Sequence, residues 1–285
     1  MKWMTSGGYP ITLSTCAPMA TVVWRMTDYL EYNIVRVAVL LDRRATKGVA
    51  MQGSLIGLTP WLVGLWGLWA ITLASSLFGG RLAGWFRLAS SFTLVIAGWN
   101  AAWLNQSTAD QGFGVLIAMG MTLGFVGDLL MARVFPLRRY LLAGMAAFGL
   151  GHVAYIAAAL SLGNTAGLNA AGPRFGAWIV WLAIGGFGWL LVVFRNRKAT
   201  AANAVLPWVA LPYALLLAST AGFATGLALQ ARRFVPFAVG AALFLFSDLI
   251  LAGRLFGGLR FRRLDDIIWL TYGPGQMSIV FSSLL

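Results

Sequence analysis

The sequence predicts an all-α, polytopic membrane protein, on three observations. Of its 285 residues, 60% are hydrophobic and only 10% charged, and the mean hydropathy is +0.80. Soluble domains carry about 25% charged residues, so a soluble globular enzyme and a disordered chain are both excluded. The few charges are also bunched. They leave eight runs of residues with at most one titratable group in each, every run long enough to cross a bilayer. A spanning helix needs roughly 20 apolar residues. Each backbone polar group in lipid must be paired within its own segment, so these runs are read as helices.

Taken in order, residues 48–80 and 88–109 carry no charge. Residues 111–132 carry Asp128 alone, and residues 140–173 carry His152 alone. Residues 175–194 and 199–231 are clean, residues 234–253 carry Asp248, and residues 267–285 are clean. Gly120/Gly124 and Gly222/Gly226 form small-xxx-small faces of the kind that let membrane helices approach closely. Trp61, Trp85, Trp178, Trp208 and Trp269 fit an interfacial belt or packing roles.

Orientation is read from the loops. Arg81, Arg87, Arg133, Arg138, Arg139, Arg195, Arg197, Lys198, Arg254, Arg260, Arg262 and Arg263 fall at one end of the eight-helix body. Arg174, Arg232 and Arg233 fall at the other. Basic loops stay in the cytoplasm, which places a multi-pass protein in the cell membrane with both ends of the body outside. The net charge of +13, from 21 Lys and Arg against 8 Asp and Glu, is then loop charge facing an anionic leaflet. The bases occur in twos and threes, so no nucleic-acid partner is expected, and no protein partner is evident. A lone Cys16 excludes a disulfide framework and a multi-cysteine metal site.

The first fifty residues fit this topology poorly. Lys2, Arg25, Arg36, Arg43, Arg44 and Lys47 resist export, and the only apolar stretch, Ile34 to Leu41, is broken by Arg36. Residues 1–50 are therefore expected to form a poorly structured extension, with Met51 as an alternative start, and residues 51–285 the transmembrane domain.

Asp128, Asp248 and His152 are the titratable groups placed inside spans. A charge at the bilayer centre costs about 2.5 to 3.5 kcal/mol on insertion scales. Such groups therefore face the bundle interior, either as hydrogen-bonding staples between helices or as functional groups. Three in one bundle favour function. The acids share a context: residues 127–132 read Gly-Asp-Leu-Leu-Met-Ala and residues 247–252 read Ser-Asp-Leu-Ile-Leu-Ala. Twenty-four residues after Asp128 stands His152, and twenty-four after Asp248 stands Tyr272, with Gln276 one turn on. This spacing predicts a parallel repeat of two four-helix halves, with helices 3, 4, 7 and 8 meeting near the axis. At 1.5 Å per residue, Asp128 lies about 7 Å from Arg133 and Asp248 about 9 Å from Arg254, so both belong to the cytoplasmic half. Tyr155 follows His152 at i+3, which lets both face one cavity. A polar floor with deeper polar walls suits a lipid-like ligand.

The stretches GDLLMA, FGLGHVAY, VGAALFLFSDLILA and TYGPGQ, in this order, resemble the YhhN family of eight-helix membrane proteins, over about residues 57 to 285. The characterised members are lysoplasmalogenases. The resemblance implies hydrolysis of the 1-alkenyl ether of a lysophospholipid, giving a fatty aldehyde and a glycerophospho-alcohol, with no cofactor and no metal. It places the family's acids at Asp128 and Asp248, its helix-4 histidine at His152 and its final polar pair at Tyr272 and Gln276. The family usually begins helix 2 with Lys-Pro. Here Trp85-Phe86-Arg87-Leu88 keeps the charge and loses the proline, so a role needing a lysine amine is in doubt while a phosphate anchor is retained.

The chemistry matches an acid pair. The slow step of enol ether hydrolysis is protonation of the β carbon, which creates an oxocarbenium ion. A carboxylic acid can supply that proton, and a second carboxylate can activate the attacking water. The sequence does not decide between the two; Asp248 as acid and Asp128 as base is the working choice. His152, Tyr155, Tyr272 and Gln276 would orient water or substrate, and Arg87 the phosphate. Tyr155 and Gln276 could also simply bond neighbouring helices, and Arg87 could be only a topology anchor. Buried acids and internal repeats are also features of proton-coupled transporters of solutes or lipids, and a non-catalytic lipid-binding scaffold is a third reading.

Overall fold

In a computed structural model of the chain, the described residues are 61, 63–104, 111–196 and 205–284. The expected extension over residues 1–50 and the start at Met51 lie outside them. Among the described residues the structure is helical, with no strand. Helix α1 covers Val63–Phe78, α2 Ala83–Leu104, α3 Gln111–Met131, α4 Tyr140–Thr165 and α5 Ala171–Trp189. Helix α6 covers Leu206–Gln230, α7 Val235–Leu255 and α8 Leu264–Phe281. Helices α2 to α7, with their short flanking turns, are the six that are long and apolar enough to cross a membrane. The protein is thus a multi-pass helical membrane protein. The described part of α1 is shorter, and α8 opens on Asp265 and Asp266 and carries Pro274 and Gln276, which dilute its apolar character.

Charges mark the helix boundaries less sharply than the runs suggested. Helix α5 starts at Ala171, before Arg174, because Pro173 fits the first turn, where an N–H would lack a helical partner. The Arg174 guanidinium then turns back to donate to Asn164 Oδ1 at 3.2 Å. Helix α2 starts at Ala83 and takes Arg87 inside its second turn. Helix α7 continues through Arg254, which sits in its last turn, where a cation is favoured by the helix dipole. The two acids that open α8 are favoured at its N-terminus for the same reason.

Helices α3 and α6 lie centrally, while α5 packs mainly on α6 and exposes Ile179, Val180 and Phe187 outward, as a lipid-facing helix should. The expected small faces are in use. A Cβ on Gly222 would stand 2.6 Å from Trp178 Cα, and one on Gly226 3.0 Å from Arg174 Cα, so α5 and α6 touch backbone to backbone. Gly240 and Gly275 do the same for α7 and α8, a Cβ on Gly240 falling 2.6 Å from Gly275 O. On α3, Gly120 leaves room for the Tyr155 ring of α4 and Gly124 for the Gln276 amide of α8. Leu73 of α1 packs on Gly273, and Trp66 meets Phe281 edge-on at 6.0 Å, fixing α1 to α8. These close approaches draw α3, α4, α7 and α8 together.

Candidate functional site

Asp128 and Asp248 open onto one cleft, with Asp265 at its rim. It encloses about 280 Å³ between α2, α3, α4, α7 and α8, and its walls include Arg87, Asp128, Phe148, Asp248, Trp269 and Tyr272. Asp128 ends the buried face of α3, which otherwise consists of Phe113, Ile117, Met121 and small residues. Ser91 Oγ of α2 and Tyr272 Oη of α8 both donate to its Oδ2, the latter at 3.0 Å. A serine and a tyrosine from two other helices therefore fix this carboxyl in place.

Asp248, half-buried on α7, is held differently. Tyr213 Oη of α6 donates to its Oδ2 at 2.5 Å. Asp248 also lines a second space, an apolar slot bounded by Met145, Ala210, Tyr213, Ala214, Leu217 and Leu245, among others. Cleft and slot share Met131, Phe148, Asp248 and Leu251. Asp248 is thus the acid at the junction of a polar chamber and a hydrocarbon-lined one.

Behind Asp128 the hydrogen bonds run in one direction. Tyr155 Oη donates to Gln276 Oε1 at 3.0 Å, and Gln276 Nε2 donates to Tyr272 Oη at 3.1 Å. Tyr272 then donates to Asp128. Tyr155 and Gln276 are almost fully buried and do not reach the cleft wall; they act on it through Tyr272.

His152 departs from expectation. Its Nδ1 lies 2.9 Å from Thr220 Oγ1 of α6, and its buried Nε2 has no hydrogen-bond partner among the described residues. It does share surroundings with Tyr155, their rings meeting edge-on at 5.6 Å. Neither lines the cleft, because an aromatic layer intervenes. Phe244 stands 4.4 Å from the His152 ring and 5.1 Å from Tyr272, with Phe148 closing the same layer 6.1 Å from Tyr272. The shared cavity expected for His152 and Tyr155 is therefore filled by rings.

Arg87 is on the cleft, though not alone. Its Nη2 donates to Asp266 Oδ1 at 2.7 Å, and its guanidinium lies 5.8 Å from the Trp269 ring centre. Its buried Nε–H has no partner among the described residues. Arg254 and Asp265, themselves ion-paired, complete the rim. Among the described residues no three of His, Cys, Asp and Glu gather as a metal-binding group.

Reading charges alone missed Ser91, Tyr213 and the α8 acids. Ser91 had a signal, the Ser90-Ser91 pair inside an apolar helix, and Tyr213 is the lone tyrosine in its span. Asp265 and Asp266 were readable only as loop charge until their arginine partners were in place.

The fold and the site together define a multi-pass helical membrane protein with Asp128 and Asp248 on one cleft. The chain belongs to the YhhN family, whose sequence pattern matches residues 83–283. No curated protein and no solved structure gives a significant match to it.

Proposed function

We propose that the protein is a membrane-embedded hydrolase that cleaves the 1-alkenyl ether bond of a lysophospholipid, releasing a fatty aldehyde and a glycerophospho-alcohol. The observation that carries this is the position of Asp248, on the polar cleft shared with Asp128 and on the apolar slot at once. An amphiphile with its alkyl chain in the slot and its phosphate at the Arg87 rim brings its ether linkage past both acids.

Asp248 protonates the β carbon of the enol ether, and the charge left behind is an oxocarbenium ion. Asp128, which accepts two hydrogen bonds at one oxygen, suits the ionised partner. It takes a proton from water as the water oxygen bonds to the cationic carbon. The resulting hemiacetal then collapses: Asp248 recovers a proton from its hydroxyl, and Asp128 returns its proton to the departing glycerol oxygen. Both acids end as they began. Tyr272 and Ser91 hold the base, and Tyr213 holds the acid. Arg87, with its unpartnered Nε–H, serves the phosphate, for which a guanidinium provides several directed donors.

We further propose that α1 and α8 also cross the bilayer, making eight spans, with the arginine-rich end in the cytoplasm. Two features support a four-plus-four repeat. Each acid accepts from a hydroxyl on the helix before it, 37 and 35 residues upstream. The packing of α4 on α6 is mirrored by that of α8 on α2.

The test is to give the purified protein lysophospholipids with and without the vinyl ether and identify products by mass spectrometry. Aldehyde released only from the vinyl ether lipid, and lost in D128N and D248N protein that still folds, is the expected result. Flux of lipid or solute across a vesicle driven by a pH gradient, without any new product, would replace hydrolysis with transport.

A further inference from the structure

A third space lies beside the cleft mouth. The α7–α8 loop forms a cup of about 430 Å³ lined by Arg254, Leu255, Leu259, Arg260, Phe261, Arg262, Leu264 and Asp265. Its shape is set by the end of α7. Gly258 adopts φ +66°, a conformation that favours glycine, and the amides of Gly257 and Leu259 both donate to Gly253 O, at 2.9 and 3.0 Å. The loop after this turn reads Leu-Arg-Phe-Arg, so two exposed apolar side chains alternate with two exposed arginines.

The charges in the cup do not cancel. Asp265, its one acid, is already engaged by Arg254. Arg260 and Arg262 have no ion-pair partner among the described residues. Two unpaired guanidiniums around a concave space select an anion, and phosphate oxygens suit their forked donors. Leu259 and Phe261, 43% and 48% exposed, would meet hydrocarbon at the same place. Phosphate and hydrocarbon side by side is the chemistry of a bilayer surface.

We propose that this cup is a binding site for the phosphate of an anionic phospholipid, separate from the cleft. It does not depend on what the cleft does. Because Arg254 and Asp265 line both spaces, a phosphate in the cup competes with Asp265 for Arg254 and so alters the cleft rim.

The test uses the full-length protein in detergent, with phosphatidylglycerol or phosphatidylcholine added and bound lipid read by native mass spectrometry. Wild-type protein is expected to retain phosphatidylglycerol preferentially. R260Q/R262Q, which alters exposed unpaired side chains, is expected to bind it about 30-fold more weakly. R138Q/R139Q, which removes the same charge from the α3–α4 loop, is expected to keep it. Equal retention of both lipids, or equal loss in both variants, overturns the proposal. Millimolar inorganic phosphate separates the sources: an adduct that persists supports a lipid, and one that is displaced shows that the cup takes a soluble phosphate and overturns the lipid assignment.

Discussion

Tyr213 donates its hydroxyl to Asp248 at 2.5 Å from the wall of the apolar slot, while Asp248 itself opens onto the polar cleft. Tyr213→Phe deletes that one hydrogen bond and keeps the ring that lines the slot. We expect vinyl ether turnover to fall about tenfold, against at least about a hundredfold for Asp248→Asn, which removes the proposed proton donor. Steady-state kinetics on both proteins checks the ordering. An unchanged rate in Tyr213→Phe would mean that the tyrosine serves packing alone.

The slot should measure the alkyl chain. Ala214 lines it beside Tyr213, and Phe at this position takes up space a chain would occupy. Ala214→Phe is expected to raise KM for long-chain substrates at least about tenfold while sparing short-chain ones, since each excluded methylene is worth about 0.8 kcal/mol. A chain-length series in KM reads the effect. Equal losses at every length would place the chain elsewhere.

Arg87 divides its donors between Asp266 and the cleft. Arg87→Gln is expected to raise KM for a phosphate-bearing substrate about tenfold, with kcat little changed. Asp266→Asn frees the guanidinium and should leave KM at or below the wild-type value. If both substitutions raise KM alike, the ion pair is a structural clasp between α2 and α8, and the phosphate is held by other groups.

Stability should separate the glycines by what they face. Gly222→Ala drives a methyl against the Trp178 backbone, which cannot rotate away, and should cost about 1 to 3 kcal/mol. Gly176→Ala on α5 has open space around its Cβ and should be neutral, or stabilising by up to about 1 kcal/mol through helix propensity. Unfolding midpoints in one detergent compare the two.

The sequence made the acids legible because ionisable side chains are costly in lipid, so Asp128 and Asp248 stood out from charge-free runs. It made Tyr272 and Gln276 legible by spacing, and both do reach Asp128, one directly and one through the other. His152 was misplaced because a position on a helix fixes direction and not what fills the gap; Phe244 fills it. Ser91 and Tyr213 escaped because a hydroxyl inside an apolar helix carries no charge, and a serine there usually bonds its own helix's carbonyl, as Ser90 does to Arg87 O at 2.7 Å. The charge-free runs did not mark the starts of α2 and α5, where an arginine sits within the first two turns. Long cationic side chains reach back to the surface from there.

The Tyr155–Gln276–Tyr272 file places an amide between two phenols. Hydroxyls can relay a hopping hydrogen ion, but a carboxamide holds its hydrogens on nitrogen and does not pass them on readily. Gln276 therefore aims Tyr272 while insulating Asp128 from the far side of the bundle. Acids sunk in a membrane threaten to short-circuit the ion gradient across it; here the conducting path stops one residue behind the carboxylate, so exchange with water is left to the mouth of the cleft.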